Sequence, residues 1–185
     1  MVPLARVYPP DATIDEEAVN ALVALGPERT MRQDPMFAFR IMVDVAARAL
    51  SPAVNDPTTA VLALDQVHRL LRHAGAKNLD NARIHDETGT LRLAFPTPNW
   101  TDIVELAVTE IRQYGATSTQ VTRRLRAMLE HLVERLPADR APALRTELAL
   151  LERTVARSFV DDEDRRRAGI ADLQGLGGSS TRSDL

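Results

Sequence analysis

Apolar residues recur every three or four positions along most of this chain, which is the period of amphipathic α-helices. Residues that can cap a helix stand before several of these stretches, and two of them, Asp34 and Asp56, are each followed by a proline. The last two apolar stretches have the spacing of helices that pack nearly antiparallel. The pattern therefore predicts helices over residues 15–25, 34–50, 56–74, 99–115, 118–136 and 143–159.

Two short segments, 83–85 and 91–95, have the composition of β-strands and flank a turn in which Gly89 can supply a positive φ. Because two short strands are only marginally stable alone, we expect this hairpin to pack on the helices and to recruit residues 2–8 as a third strand. The predicted fold is mainly α: a single-domain bundle of about six helices over residues 1–175, with a small β-hairpin or three strands. The charged stretch 161–167 is predicted to continue the last helix, and the tail 176–185 to be disordered.

The predicted helix over 34–50 has an unusual composition, because twelve of the fifteen residues from Met36 to Leu50 are apolar. A helix that is apolar on nearly all sides is normally buried, so we expect it to be the central helix of the bundle. Its three charged residues, Arg40, Asp44 and Arg48, are four positions apart and share one stripe. The first interpretation is a salt-bridge ladder with Asp44 buried between the two arginines. The alternative is a stripe that lines a cleft and binds an anion.

The turn that follows this helix, residues 51–60, also has two interpretations. Ser51 and Asp56 each precede a proline, so both can be helix N-caps. Alternatively, the N–H groups that open the next helix hold an anion beside Arg48, while Asp56 opposes the anion by its charge and orients the loop. The candidate ligand-binding residues are therefore Arg40, Asp44, Arg48, Asn55, Asp56, Thr58 and Thr59.

Composition limits the chemistry available to this chain. The absence of cysteine excludes disulfides, thiolate catalysis and cysteine-ligated metal sites. His68 and His73 are five positions apart and not on one helix face, so we predict no metal site, no cofactor and no catalytic residue. A formal charge of −3 gives no general attraction for nucleic acid. We predict that the basic face of the helix over 118–136 is solvated, and the alternative is that it meets an acidic surface or lipid headgroups; its arginines are Arg123, Arg124, Arg126 and Arg135.

The segment around the turn resembles the signature of a bacterial family. The matching residues are RT at 29–30, QDP at 33–35 and, most specifically, RALSPAVNDPTTA at 48–60. Together they resemble the predicted membrane proteins grouped as domain of unknown function 2254. The segment IRQYG at 111–115 is similar to a second, weaker signature of that family, and the resemblance extends from residue 2 to about residue 175.

The resemblance implies the soluble region of a protein whose other part carries transmembrane helices. This chain has no stretch approaching the roughly 20 consecutive apolar residues of such a helix, so we expect the chain alone to be soluble and cytoplasmic. Since the family has no assigned activity, the implied function is a non-catalytic module for assembly, regulation or ligand sensing. The alternative is an enzyme of unknown reaction, or an anion-binding site, at the Arg40/Asp44/Arg48 stripe and the Asn55–Asp56 turn.

The expected partners follow from the same residues. A second copy of the chain can pair through the open edges of the small sheet, which predicts a homo-oligomer. A small anion or an acidic group of another protein is the expected partner of the arginines. We predict no nucleic-acid partner, and contact with a membrane only through a transmembrane region outside this chain.

Overall fold

The computed structural model describes residues 5–9, 15, 17, 30–31, 34–79 and 82–176. These residues form six α-helices, one 3₁₀ turn and three short strands. The helices are α1 (Pro35–Ala49), α2 (Pro57–Gly75), α3 (Trp100–Tyr114), α4 (Thr119–Arg135), α5 (Ala141–Ser158) and α6 (Asp162–Ala168). The 3₁₀ turn is Ala138–Arg140, and the strands are β1 (Arg6–Val7), β2 (Arg83–His85) and β3 (Leu91–Ala94). The predicted mainly α fold is confirmed, while the predicted helix over 15–25, except residues 15 and 17, and the tail beyond 176 lie outside the described residues.

The first helices begin where local capping dictates. The carboxylate of Asp34 accepts a hydrogen bond from the N–H of Met36 at 2.9 Å, and that of Asp56 accepts one from the N–H of Thr59 at 3.0 Å. In both helices a proline follows the cap, where its missing N–H costs no hydrogen bond and its fixed φ suits a helix. Asn99 caps α3 with its side chain, so the predicted starts of α1, α2 and α3 are confirmed.

The hydrophobic core lies among α1, α2, α3, α4 and α5. Fully buried leucines stand seven positions apart, at Leu64 and Leu71 of α2 and at Leu125 and Leu132 of α4. Such spacing places each pair on one face, two turns apart. Helix α5 packs against α4, as the matching spacing of apolar residues in the last two predicted helices indicates.

Helix α1 lies at the side of the bundle, packed against α2 and α3, and is not its central helix. Phe39, Val43 and Ala46 are buried in the core, whereas Val45 on the opposite side is 41% exposed. The prediction is wrong because apolar composition counts residues on all sides of a helix, while neighbouring helices here cover one side. The uncovered side of α1 forms one wall of a groove.

The three strands form one antiparallel sheet in the order β1–β3–β2, with Ala94 of β3 between Arg6 and Arg83. Gly89 has a φ of 81° in the turn between β2 and β3. The predicted hairpin and the recruitment of a third strand are confirmed. The described helices do not supply the expected packing, since the strands contact mainly one another and none of the strand residues is buried. The strands are only two to four residues long, so the sheet has little apolar surface to bury.

The stretch after α5 is a separate helix and does not continue α5. Phe159 is extended, and the carboxylate of Asp161 accepts hydrogen bonds from the N–H groups of Glu163 at 2.9 Å and Asp164 at 3.1 Å. An aspartate in this position caps the start of a new helix. The predicted continuation of the last helix over 161–167 is therefore wrong.

Three of the four arginines predicted to be solvated on α4 are largely buried. The Nε of Arg123 donates to the backbone carbonyl of Ile170 at 3.0 Å, in the segment that follows α6. The side chains of Arg124 and Arg126 are only 12% and 14% exposed, whereas Arg135 is exposed. The prediction fails because the segments that pack on α4 supply carbonyl and carboxylate acceptors for these guanidinium groups.

Candidate ligand-binding site

Arg40 connects α1 to α3. Its guanidinium donates to both oxygens of the Glu110 carboxylate, at 2.6 and 2.9 Å, and its Nε donates to Asp44 at 2.8 Å. The hydrogen bonds with Glu110 and then Asp44 raise the pKa of Arg40, and the bond from Arg40 lowers the pKa of Glu110. Glu110 lies 70 residues further along the chain, so nothing in the stripe of α1 identifies it as the partner.

The predicted buried ladder is wrong, since 58% of the Asp44 side chain is exposed. Arg48, one helical turn further on, is also exposed, and its side chain forms no ion pair or hydrogen bond with any residue that the structure describes. Solvent reaches this side of α1, so the charges have no need to pair with each other. The stripe therefore separates into a paired Arg40 and an unpaired Arg48.

Arg48 borders a groove between the exposed side of α1 and the turn that leads to α2. Its volume is about 400 Å³, within the range of about 300–1,000 Å³ that small-molecule sites occupy. Four apolar and four polar residues line the groove, and the apolar side chains contribute most of the lining surface. The lining residues are Ile41, Val45, Ala49 and Val54, together with Asp44, Arg48, Asp56 and Thr59.

The turn holds Asp56 in a capping position. Asn55 has a φ of 47°, in the left-handed region that asparagine tolerates, and the N–H of Asp56 donates to the carbonyl of Ala49 at 2.7 Å. The Asp56 carboxylate accepts hydrogen bonds from the hydroxyl of Thr59 at 2.5 Å and from its N–H at 3.0 Å, and these bonds lower the pKa of Asp56. The N-cap interpretation of Asp56 is confirmed, and Thr59 has no donor left for an anion.

The structure brings four of the seven candidate residues to one groove: Asp44, Arg48, Asp56 and Thr59. Arg40 instead binds Glu110, and Asn55 and Thr58 are exposed and do not line the groove. The sequence pattern does not reveal the apolar lining, because an exposed valine and a core valine look alike in a sequence. The site is therefore more apolar than an anion site built on the opening N–H groups of α2.

Sequence reasoning also misses a polar cluster between α2 and α4. The Nε2 of His68 and the Nδ1 of His131 are 2.9 Å apart, and the Nε of Arg124 donates to Asp65 at 2.6 Å. Burial, followed by the charges of His131, Arg124 and Arg72, lowers the pKa of His68 to about 4. The described residues contain no group of three metal-ligating side chains. The sequence does contain a signal. Asp65 and His68 are three positions apart and Arg124 and His131 are seven apart, so each pair shares one helix face, but this spacing does not show that the two faces meet.

A buried ion pair joins α3 to α5. The Nε of Arg112 donates to Glu147 at 3.0 Å, and the hydroxyl of Thr109 donates to the other carboxylate oxygen at 3.0 Å. Only 8% of the Arg112 side chain and 4% of the Glu147 side chain are exposed. Arg112 lies in the segment 111–115 that resembles the second family signature. Its contacts give this segment a structural role, because they hold α3 against α5.

The fold and the groove define a mainly α domain with a candidate binding site beside its first described helix. None of the described helices is long and apolar enough to cross a membrane. Residues 1–131 match the family described as predicted membrane protein (DUF2254), and this chain belongs to that family. The match includes the groove and ends within α4.

Relatives with similar sequences occur in mycobacteria. The chain is 33% identical over 144 residues to the uncharacterized protein Mb1321c of Mycobacterium bovis and to the uncharacterized proteins MT1328 and Rv1290c of Mycobacterium tuberculosis. Each match covers 77% of this chain and 28% of the relative, so the chain spans less than a third of the length of these relatives. No solved structure matches the chain.

Proposed function

We propose that this chain is a non-catalytic, ligand-sensing module of a membrane protein, and that the groove beside α1 is its binding site. The observation that supports the proposal is the exposed guanidinium of Arg48, which has no partner among the described residues and borders an apolar groove of about 400 Å³. An unpaired arginine next to apolar surface suits a ligand that carries an anionic group on an apolar body.

The charges around the groove favour a ligand with a single carboxylate. Arg40 donates to Glu110 as well as to Asp44, so it compensates only part of the charge of Asp44, and hydrogen bonds from Thr59 occupy the carboxylate of Asp56. Asp56 nevertheless keeps its negative charge, which disfavours ligands with several negative charges. An apolar chain that covers Val45 and Val54 would gain roughly 25 cal/mol for each Å² of apolar surface removed from water.

Titration calorimetry with octanoate tests the proposal, because octanoate combines one carboxylate with an apolar chain. We expect the wild-type protein to bind octanoate and Arg48→Gln to bind it about tenfold more weakly, because a charge-assisted hydrogen bond is lost. Arg145→Gln removes an exposed arginine of α5 and is the matched control, which should bind like the wild type. Equal affinities of the two variants for octanoate, or no binding by the wild type, would contradict the proposal.

A second role, assembly with another copy of the chain, is favoured by the sheet. Strands β1 and β2 are its edges, and their outer sides pair with no other strand of the described residues. Unpaired strand edges are templates for pairing with another strand. We expect a dimer or a larger assembly in solution. A monomer mass by light scattering at high micromolar concentration would rule out this role.

A further inference from the structure

A second cavity, separate from the groove of Arg48, lies between α2 and α4. It has a volume of about 200 Å³ and is lined by Asp65, His68, Arg69, Arg72 and Arg124. Since one water takes about 30 Å³ in the liquid, this space accommodates a small oxyanion with some of its hydration. With His68 neutral, three arginines and one aspartate give the lining a formal charge of +2. The lining therefore carries a net positive formal charge, although Asp65 contributes one carboxylate.

Arg124 forms the fixed side of this cavity. Its side chain is 12% exposed, and its Nε donates to Asp65 at 2.6 Å. Its Nη1 donates to the backbone carbonyls of Asp172 at 3.3 Å and Leu173 at 3.2 Å. These bonds order the guanidinium before a ligand arrives, so that little conformational freedom is lost on binding. The ion pair also compensates the one carboxylate that lines the cavity.

No carboxylate of the described residues forms an ion pair with Arg69 or Arg72. They are three positions apart on α2 and share a face with Asp65. Arg69 donates to a neutral group, the amide oxygen of Gln66, at 3.4 Å. Arg72 has no hydrogen bond or ion pair with any residue in the described part of the chain. Guanidinium groups of like charge around one small cavity repel each other, and an anion between them would relieve that repulsion.

Burial and neighbouring positive charges both disfavour the protonated form of His68. Its Nε2 lies 2.9 Å from the Nδ1 of His131, so one ring donates a hydrogen bond to the other. Burial is the main cause that lowers the pKa of His68 to about 4, the charges of His131, Arg124 and Arg72 add to it, and Asp65 acts in the opposite direction. An anion in the cavity would favour the protonated ring and raise this pKa.

We propose that this cavity is a binding site for a phosphate group. The planar fork of an arginine can donate two parallel hydrogen bonds to two oxygens of one phosphate. Arg69 and Arg72 supply such donors from α2, and Arg124 supplies a fixed positive charge from α4. A soluble phosphate compound and a phospholipid headgroup present the same oxygens, so the two sources are separated by experiment.

The first measurement is an NMR titration of the histidine C2–H resonances with inorganic phosphate, at pH 5.5 and constant ionic strength. We expect the His68 resonance to move towards its protonated position, because bound phosphate raises the pKa of this ring from about 4. His73 and His85 are exposed and do not line the cavity, so their resonances are internal controls that should stay in place.

Arg72→Gln is the decisive variant, because Arg72 is exposed and has no partner whose loss would disturb the fold. It should unfold at the wild-type midpoint and bind phosphate about tenfold more weakly. Arg157→Gln removes an exposed arginine of α5 and changes the net charge by the same amount. This control should keep the wild-type affinity for phosphate.

Vesicles of phosphatidylcholine with and without phosphatidic acid distinguish the two sources of phosphate. Arg72-dependent sedimentation with the acidic vesicles, without a response to inorganic phosphate, assigns a phospholipid headgroup. A response to inorganic phosphate alone assigns a soluble compound, and a response in both arms supports the shared phosphate chemistry. The proposal is overturned if neither arm responds, or if Arg72→Gln and Arg157→Gln reduce the response equally.

Discussion

Two arginine–carboxylate networks meet α3 only two residues apart, in opposite environments. Glu110 binds Arg40 of α1 on a side that solvent reaches, whereas Arg112 binds Glu147 of α5 in the interior. The side chains of Arg40 and Glu110 are 31% and 42% exposed, while those of Arg112 and Glu147 are 8% and 4% exposed. The same two chemical groups therefore contribute differently to stability. In the interior, each charged group needs protein hydrogen-bond partners, whereas water can solvate the exposed groups of the outer network.

In the interior network, both charged groups have hydrogen-bond partners in the protein. Arg112 and Thr109 donate to different oxygens of Glu147, and Nη1 of Arg112 donates to the hydroxyl of Thr154 at 3.3 Å. Moving two charges from water to an interior costs several kcal/mol for each ion, and only good pairing with further hydrogen bonds offsets it. Removing one partner therefore costs far more than the intact pair contributes.

The largest effect is expected from Glu147→Ala, which leaves the Arg112 guanidinium buried without its carboxylate. The free energy of unfolding should fall by about 3–5 kcal/mol, measured by urea denaturation at pH 7. Glu152→Ala is the matched control on the same helix, because Glu152 pairs with Arg126 at 3.3 Å but is 61% exposed. The control should lose less than about 1 kcal/mol. Equal losses would mean that burial does not distinguish the two kinds of pair.

A smaller effect is expected from Arg40→Ala. This substitution removes the arginine that Asp44 and Glu110 share, but water can solvate both carboxylates. The free energy of unfolding should fall by about 1 kcal/mol, including the loss of packing by the arginine stem. A loss as large as that of Glu147→Ala would show that the outer network is as critical as the interior one.

The features that the sequence predicts well depend on contacts between near neighbours. The carboxylates of Asp34 and Asp56 bind N–H groups two and three residues away, so the caps and the helix starts are visible in the sequence. Gly89 likewise marks its turn through its own backbone, at a φ of 81°. Asp161 belongs to the same class, because its carboxylate accepts a hydrogen bond from the N–H of Glu163, two residues away, and so marks the start of α6 locally.

The features that the sequence does not predict depend on which helix faces meet. The acidic partner of Arg40 lies 70 residues away, and the ring that contacts His68 lies 63 residues away. Arg40 and Arg48 are equivalent in the sequence pattern, yet α3 covers the first and leaves the second at the groove. The candidate site was therefore predictable as a set of polar residues on α1 and its turn, but its apolar lining was not.

The pH dependence of stability should also distinguish the outer network. The hydrogen bond from Arg40 lowers the pKa of Glu110 below its ordinary value of 4.5. A carboxyl group whose pKa is lower in the folded state stabilises that state fully above about pH 4.5, and this contribution is lost as the pH falls through the lowered pKa. The stability difference between wild type and Arg40→Ala should therefore shrink below about pH 4.5.

Urea denaturation between pH 7 and pH 3 measures this difference, and NMR titration follows Glu110 directly. The pKa of Glu110 should rise in Arg40→Ala, because its hydrogen-bond donor is gone. Asp44→Asn is the control, since it removes a neighbouring charge and leaves the contact between Arg40 and Glu110 in place. If the pKa of Glu110 is the same in the wild type and in Arg40→Ala, the hydrogen bond from Arg40 is not the cause of its lowered pKa.

The smallest effect is expected from Asp44→Ala, although the sequence pattern predicts a large one. A ladder with Asp44 buried between two arginines would lose about 3–5 kcal/mol. Because Asp44 is 58% exposed and Arg40 keeps Glu110 as a partner, the loss should stay within about 0.5 kcal/mol. Double-mutant cycles make the test specific: Asp44 and Arg40 should couple by about 0.3–0.5 kcal/mol, whereas Asp44 and Arg48, which form no ion pair, should be additive within error. Strong coupling between Asp44 and Arg48 would mean that the two residues form an ion pair. Arg48 would then not be unpaired, which would contradict the observation on which the proposed binding site depends.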